Sequence, residues 1–216
     1  MVSFSILLTY ILIQWSNANL DTGYHEPIRS GDSDYGNIYE TKTINEIDFK
    51  FSLKENCILV KGCFMVRTKP ACPQFITYNF EDKKRYTKTL TTFEKGQEGD
   101  DWYEIKFFLE KYLFAKVRSV WIYSRDEINH RVNFKLKSYE ININSLNLVD
   151  SSNGYFEFLP MKNGFTKINY LLDYRIKPTK LKKYLYRIQR DESITILSDY
   201  KEYLEENCHD KNGFGH

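Results

Sequence analysis

The side chains with the clearest chemical capacity in this chain of 216 residues are its four cysteines, Cys57, Cys63, Cys72 and Cys208. An even number of cysteines permits disulfides in an oxidising compartment. Cys57 and Cys63 lie on one predicted strand at a separation of about 20 Å, which is too long for a disulfide. A bond between Cys72 and Cys208 requires the last helix to end near the first helix. Four buried free thiols are the alternative.

Established catalytic and metal-binding motifs are missing from the sequence. It has no phosphate-binding loop, no glycine fingerprint and no patterned Ser/His/Asp set. Cys208 and His209 are adjacent, but no second spaced pair accompanies them, so we predict no metal site and no cofactor. His130 opens a predicted strand after polar residues, and we interpret it as an exposed turn residue rather than a general base. The sequence therefore leaves enzymatic activity open and favours a binding function.

Aromatic side chains are unusually frequent, with 17 Tyr and 15 Phe. Ligand pockets are mostly apolar and contain a few placed polar groups, which tyrosine hydroxyls can supply. The alternative is a solid core filled by the same rings. The residues predicted to line a pocket are Tyr103, Phe107, Phe134, Phe156, Tyr170, Tyr174, Leu185 and Ile188. Arg118, in the middle of a strand, is a candidate contact for a ligand headgroup if it is buried, and a surface residue if it lies on the wet face.

Composition limits the class of protein. The net charge is only +2, so we predict no nucleic-acid partner, which would normally require a strong basic excess. The hydrophobic fraction of 42% and the aromatic fraction of 16% exclude a chain that is disordered throughout. The length suits one domain with flanking segments.

The N-terminal segment resembles a secretory signal peptide. An uncharged apolar run at 4–13 is too short to span a bilayer, and small residues follow at 16–18. We predict a signal peptide at 1–18, cleaved after Ala18, and a secreted or periplasmic mature protein. The run lacks a preceding Lys or Arg, and the alternatives are a buried helix or an uncleaved anchor. Residues 19–49 are polar and are predicted to form a flexible mature N-terminus.

The remaining chain alternates between two hydrophobic periods. A β-rich run at 57–68 precedes a predicted helical segment at 71–86, and period-two alternation then predicts antiparallel strands. These strands are placed at 86–94, 102–110, 115–124, 130–139, 155–159 and 165–174. After Pro178 the period becomes helical over 179–206, with a kink or break expected near 191–195 and Thr179 as a candidate cap. A loose tail is expected at 207–216.

Charge is distributed unevenly along this last predicted helix. Residues 177–190 contain six basic side chains and no acid, whereas residues 191–206 are mainly acidic. This arrangement opposes the helix dipole, which favours acids at the start and bases at the end. We interpret the basic end as a surface for transient contact with an anionic membrane or a partner. The alternative is an ordinary solvated face.

The order of these segments resembles the START-like (SRPBCC, Bet v 1-like) superfamily over about residues 50–206. The resemblance is carried by ILVKGCFMVRT, by KPACPQFITYNFEDKKRY, and by the ending GYFEFLPMKNGFTKINYLLDYRIKPTKLKKYL. Two departures are Ala71-Cys72-Pro73-Gln74, where many members have small-Pro-Glu, and an extra stretch at 140–153. The resemblance implies an α+β helix-grip fold: a curved antiparallel sheet wrapped around a long C-terminal helix, with short helices after the first strand.

The same resemblance implies a hydrophobic tunnel between sheet and helix. Members of the superfamily bind lipids, sterols, polyketides, quinones or plant hormones, and some are cyclases or hydroxylase subunits. Fold alone does not choose among these functions. Our first hypothesis is an exported protein that binds a hydrophobic small molecule, with a lipid as the leading candidate. A cavity-based enzyme, cyclase or hydrolase-like, and an interaction module that docks through the basic half of the helix are the alternatives.

Overall fold

The structure is a computed structural model that describes residues 38–86, 92–112, 115–142 and 147–208. The predicted signal peptide at 1–18, residues 19–37 and the tail from 209 lie outside the described residues. Within them, no helix is both long and apolar enough to cross a membrane.

Nine antiparallel strands form one sheet in the order β1-β2-β3-β9-β8-β7-β6-β5-β4. The strands are β1 Ile38–Ile44, β2 Ile47–Lys54, β3 Cys57–Val66, β4 Thr92–Glu98, β5 Trp102–Tyr112, β6 Ala115–Asp126, β7 Arg131–Ile141, β8 Val149–Pro160 and β9 Thr166–Ile176. The α-helices are α1 Ala71–Tyr78, α2 Phe80–Tyr86 and α3 Lys182–Asn207, and a 3-10 turn at Lys162–Gly164 joins β8 to β9. This curved sheet with its long C-terminal helix confirms the predicted fold class.

The sheet begins before position 50, where the sequence analysis placed the start of the domain. Strands β1 and β2 form a hairpin whose turn residues Asn45 and Glu46 both have positive φ. Alternate residues of β2, including Phe49 and Phe51, are buried, which is the period-two pattern of a half-buried strand. The part of the predicted flexible segment from Ile38 onward is therefore ordered by the sheet.

The first predicted strand after the short helices is displaced. Helix α2 continues to Tyr86, and β4 runs from Thr92 to Glu98. The helix thus ends at Tyr86, where the predicted helical segment also ends, and positions 87–91 of the predicted strand lie outside the described residues. The other predicted strands match observed ones, which extend by a few residues at their ends.

Helix α3 is continuous and has no break near 191–195. The Ser193 hydroxyl donates a hydrogen bond to the carbonyl of Gln189, and Thr195 donates to that of Asp191. These bonds satisfy the hydroxyls within the helix, so the β-branched stretch remains helical. The Thr179 hydroxyl accepts a hydrogen bond from the Leu181 amide, and the helix begins at Lys182, slightly later than predicted.

Helix α3 packs on one part of the concave face, and α1 covers another. The helix contacts β2 and β3, whereas α1 contacts β6, β7 and β8. Gly62 of β3 permits the close approach of α3, because a Cβ at this position would lie 2.5 Å from Cδ1 of Leu197. Leu197, Tyr200 and Leu204 are consequently buried completely between helix and sheet.

A disulfide between Cys72 and Cys208 joins α1 to the end of α3. The two Cα atoms are 5.8 Å apart, although the residues are separated by 136 positions. Cys57 and Cys63 are free thiols on the outer face of β3. The structure therefore contains the Cys72–Cys208 bond, which the sequence left open beside the alternative of four free thiols, and no bond between Cys57 and Cys63.

Replacing both Cys72 and Cys208 with Ser should lower the free energy of unfolding by about 2–5 kcal/mol, because the disulfide closes a long loop. Chemical denaturation under non-reducing conditions measures this change. The matched control is the Cys57→Ser, Cys63→Ser variant, which removes two thiols but no disulfide and should change stability much less. Equal stability of the two double variants would contradict the proposed contribution of the disulfide.

Candidate functional site

The space between α3 and the sheet is tightly filled at the end nearest the disulfide. The Tyr200 ring lies 5.0 Å from that of Tyr86 and 5.2 Å from that of Phe156, measured between centroids. Its hydroxyl forms a hydrogen bond with Thr77, which also donates to the Pro73 carbonyl. With these bonds made and the rings in contact, this end is a packed core; we call it the closed end.

Lys83 of α2 is buried at the closed end. Its ammonium group donates a hydrogen bond to the Thr77 carbonyl and lies 4.1 Å from the centroid of the Tyr123 ring. Burial lowers the pKa of Lys83 to about 7, and the neighbouring Asp82 carboxylate offsets part of that effect. A lysine with this pKa is largely uncharged at mildly alkaline pH.

A cluster of aromatic rings occupies the centre of the concave face. The Phe134 ring centroid lies 5.9 Å from those of Phe156 and Tyr170, and 6.0 Å from that of Tyr123. Gly154 on the adjacent strand leaves room for Phe134, because a Cβ there would lie 2.5 Å from Cζ of the ring. The predicted aromatic residues of β7, β8 and β9 are thus brought together.

Beyond this cluster, polar groups line the interior; we call this part the polar end. Oε1 of Glu192 and Oγ of Ser152 are shielded from solvent, and neither has a hydrogen-bond partner within the described part of the chain. The Glu192 carboxyl interacts electrostatically with Tyr170 and Tyr174, and Tyr174 also interacts with Tyr139. Buried polar atoms are normally satisfied, so these two mark a place where a partner is expected.

Burial controls the protonation of the polar end. It raises the pKa of Glu192 to about 8, so the carboxylic acid is mostly neutral at pH 7. It also raises the pKa of Tyr170 and Tyr174 far above that of an exposed tyrosine. At neutral pH the three side chains therefore present hydrogen-bond donors and acceptors without net charge.

The sheet itself opens next to the polar end. The pairing of β7 with β8 runs from Arg131–Glu157 to Lys135–Asn153. Past these pairs, the described part of β7 is paired only with β6, and the described part of β8 only with β9. Tyr139 and Ser152 belong to these separated segments, so the polar end lies beside a divergence between two strands.

The eight predicted pocket residues lie in different parts of the interior. Tyr103 belongs to the closed end, where its hydroxyl donates to the Tyr78 carbonyl and its ring stacks on Tyr123 at 5.8 Å. Phe107 is half-buried at the margin of the core. The remaining six lie in the central cluster or near the polar end: Phe134, Phe156, Tyr170, Tyr174, Leu185 and Ile188.

Two further predicted positions lie away from this interior. Arg118 is exposed on the outer face of β6, with its guanidinium carbon 6.0 Å from the centroid of the Phe108 ring. A headgroup contact there would be outside the space between sheet and helix. His130 is exposed in the turn before β7, as interpreted from the sequence.

Sequence reasoning missed Glu192, Ser152 and Lys83. A signal for Glu192 was present, because it follows Leu185 by seven residues and Ile188 by four, and therefore lies on the apolar stripe of α3. It was instead counted with the acidic surface residues. Ser152 and Lys83 carried no comparable signal, since their burial depends on tertiary packing.

A separate groove of about 460 Å³ lies outside this interior, and none of the predicted pocket residues lines it. Its lining residues are Met65, Pro160, Met161, Lys162 and Phe165. In the described part of the chain, no group of three or more His, Cys, Asp or Glu side chains is arranged to hold a metal ion.

Comparison with known proteins identifies the architecture. No protein-family model matches the sequence, and no curated protein matches it either. The structure is nevertheless similar to the ZhuI aromatase/cyclase from Streptomyces sp. R1128, with a TM-score of 0.60 and 9% identity over 73% of this chain and 99% of the other. The chain has the START-like helix-grip fold.

Two more helix-grip structures show the breadth of this similarity. A STAR-related lipid transfer protein from Xanthomonas axonopodis gives a TM-score of 0.56 at 9% identity, covering 77% of this chain and 98% of that one. Norcoclaurine synthase from Thalictrum flavum, in complex with dopamine and hydroxybenzaldehyde, gives 0.54 at 9% identity, covering 69% and 87%. At such identities the likeness shows the fold alone.

Lys83 predicts a specific pH dependence of stability. Its pKa is lower in the folded protein than in the unfolded chain, so the contribution of Lys83 to stability should rise as the pH increases above 7, by at most about 1.4 kcal/mol per pH unit. The raised pKa of Glu192 opposes this rise up to about pH 8, so the net increase in stability should appear above pH 8. Lys83→Met should remove this rise and stabilise the protein at pH 7, because no charged group is then buried. Denaturation between neutral pH and about pH 9.5 measures both effects.

The control for this experiment is Lys84→Met, which makes the same substitution at the exposed neighbouring position. Its pH dependence should match that of the wild type. A Lys83→Met protein with the wild-type pH dependence would show that the buried amine is not responsible.

Proposed function

We propose that this protein binds a hydrophobic small molecule, with a lipid as the leading candidate, between the concave face of the sheet and the first half of α3. The observation that carries the proposal is the pair of buried polar atoms of Glu192 and Ser152, which have no hydrogen-bond partner among the described residues and lie in an aromatic interior. Apolar walls with a few placed polar groups are typical of small-molecule sites. Burial of the ligand's apolar surface would supply most of the affinity.

The helix-grip comparisons are compatible with this proposal. The solved relatives include one protein named as lipid transfer, one as an aromatase/cyclase and one as a synthase. They support a small-molecule ligand for this chain, whereas the choice of a lipid rests on the predicted export and the apolar lining.

Export to an oxidising compartment is the second part of the proposal. The Cys72–Cys208 disulfide supports it, because structural disulfides persist mainly in secreted or periplasmic proteins. The short apolar run at 4–13, interpreted as a signal peptide cleaved after Ala18, supports it independently. We therefore propose a secreted or periplasmic protein.

A cavity-based enzyme is the second candidate, and Glu192 is the observation that favours it. A carboxylic acid whose pKa is raised to about 8 by burial can act as a general acid near neutral pH. Tyr174 and Tyr170, next to this carboxyl, would orient the reacting group. Turnover of a bound molecule, abolished by Glu192→Gln without loss of binding, would favour the enzyme over the carrier.

Native mass spectrometry of the protein purified from an oxidising compartment tests the main proposal. We expect an added mass that disappears on denaturation and extracts into organic solvent. Ile188→Trp should reduce that added mass, because the larger ring would fill the space beside the polar end. Ile128→Trp is the matched control, since Ile128 is 91% exposed, and it should retain the ligand. A bare wild-type protein that also takes up no lipid from an extract would contradict the carrier function.

Contact with an anionic membrane is proposed for the start of α3. Lys177, Lys180, Lys183 and Arg187 are exposed there, and the first turn of the helix contains no acidic residue. Several basic residues close to a surface attract anionic lipids additively and in a salt-dependent way. This basic surface lies at the same end of α3 as the residues of the polar end.

Reversing two of these charges, Lys183→Glu with Arg187→Glu, should weaken sedimentation with phosphatidylserine vesicles by roughly tenfold at low salt. Phosphatidylcholine vesicles should bind little of either protein. Lys50→Glu with Lys61→Glu is the matched control, since these exposed residues face each other on the outer side of β2 and β3. Equal losses in both double variants would indicate a response to net charge rather than a binding surface.

A further inference from the structure

The side chain of Glu192 is the starting point of a second proposal, which rests on the proposed function. Glu192 lies on the face of α3 that carries Leu185 and Ile188, both packed against the core. Its Oε1 atom is shielded from solvent and has no hydrogen-bond partner among the described residues. Buried polar atoms are normally hydrogen-bonded, so this atom marks a place where a partner is expected.

Hydroxyl groups from neighbouring strands converge on the same place. Tyr174 of β9 is buried and interacts electrostatically with both Glu192 and Tyr139 of β7. Ser152 of β8 pairs with Tyr174 in the sheet, and its Oγ atom also lacks a partner in the described structure. Three strands and the helix therefore each contribute an oxygen to one buried region.

We propose that Glu192, Tyr174 and Ser152 form a subsite that holds an uncharged oxygen, a hydroxyl or a carbonyl, at the end of an otherwise apolar ligand. Each of the three side chains offers both a donor and an acceptor when Glu192 is protonated. The divergence of β7 and β8 beside Tyr139 and Ser152 places this subsite next to an opening in the sheet.

Among the described residues, the charged groups around Glu192 favour an uncharged ligand group over an anion. On its own helix, Asp191 is acidic, and Arg190 is engaged by Asp191 and by Glu40 of β1. From β9, the facing titratable groups are Tyr170 and Tyr174, which burial keeps protonated. An anionic headgroup would thus meet no unengaged cation among these groups.

A cationic amine is the main alternative to an uncharged oxygen as the ligand group in this subsite. It would require Glu192 to lose its proton inside an apolar interior, which burial opposes by raising the pKa to about 8. An alcohol or ketone requires no such change at neutral pH. The two ligand classes therefore respond in opposite ways to pH and to replacement of Glu192 by its uncharged isostere.

The experiment compares decanol, decylamine and decanoate as competitors of a neutral fluorescent probe, N-phenyl-1-naphthylamine, below micellar concentrations. We expect decanol to displace the probe at concentrations about tenfold lower than decanoate or decylamine at about pH 6.5. Glu192→Leu should reduce the preference for decanol about tenfold, and Ser152→Ala should reduce it in the same direction. Glu192→Gln should largely preserve it, because the amide retains a donor and an acceptor.

The pH dependence of decanol binding is an independent test of the subsite. Decanol binding to the wild type should weaken on going from about pH 6.5 to about pH 9.5, as Glu192 ionises and loses its donor. Binding to Glu192→Gln should not change over this range. Glu206→Leu removes an exposed acid from the same helix and should behave as the wild type in both assays.

Several outcomes would overturn the proposal. Tightest binding of decylamine, lost in Glu192→Gln, would assign the subsite to a cation. Equal displacement by all three amphiphiles, unchanged in Glu192→Leu and Ser152→Ala, would show a purely apolar site and leave the hydrophobic-carrier function standing. If neither the probe nor any amphiphile binds, the carrier function and the subsite both fail.

Discussion

The docking of α3 across a curved sheet is the constraint on which the remaining structure depends. One helix must cover the concave side of nine strands, and its axis lies over β2 and β3 rather than over the middle of the sheet. Gly62 permits that placement by removing a side chain below Leu197. Helix α1 and large aromatic side chains cover the rest of the concave face. This role accounts for the high frequency of Tyr and Phe in the sheet.

Attachment at the C-terminal end of α3 divides the interior into two chemically different parts. The disulfide, the buried Tyr200 ring and the Tyr203–Asp82 hydrogen bond hold this end against α1 and α2. At the other end, the contacts of α3 with β1 are polar and partly exposed, from Tyr186 and Arg190 to Glu40. Exposed polar contacts contribute little stability. The C-terminal end of α3 is therefore held more strongly against the fold than its N-terminal end, and the two ends also differ in chemistry.

The sequence was sufficient for the architecture because period-two and helical patterns are local. The alternation of Ile168, Tyr170, Leu172 and Tyr174 with polar residues predicts a half-buried strand. Apolar residues at a spacing of three and four predict the last helix. The reach of a strand excluded a bond between Cys57 and Cys63, whereas the Cys72–Cys208 bond depends on where the last helix ends and stayed open until the structure was known. The β1–β2 hairpin was missed because its polar flanks outweighed a short alternation at 47–53.

The candidate site could be predicted less completely than the fold, because it depends on contacts between residues that are distant in sequence. Period-two alternation identified the inward-facing aromatic residues of the sheet, but whether a ring fills a core or borders a ligand depends on distances between elements distant in sequence. Tyr103 and Tyr174 carry the same local signal, yet Tyr103 donates a hydrogen bond to the Tyr78 carbonyl, while Tyr174 lies near the Glu192 carboxyl, whose Oε1 has no hydrogen-bond partner in the described part of the chain. Polar residues such as Glu192 become informative only once their burial is known.

The position of the unpaired polar groups has a consequence for how a ligand would enter. Local opening occurs where few apolar contacts hold an element and where backbone pairing has ended. Backbone pairing ends near the first half of α3, where the ladder between β7 and β8 stops at Lys135–Asn153, whereas the disulfide fixes the other end. A ligand entering there would meet the hydrogen-bonding oxygens of Glu192, Tyr174 and Ser152, with the aromatic cluster beyond them. The basic exposed residues at the start of α3 would bring that same end to an anionic surface, so entry, polar recognition and membrane approach converge on one end of the fold.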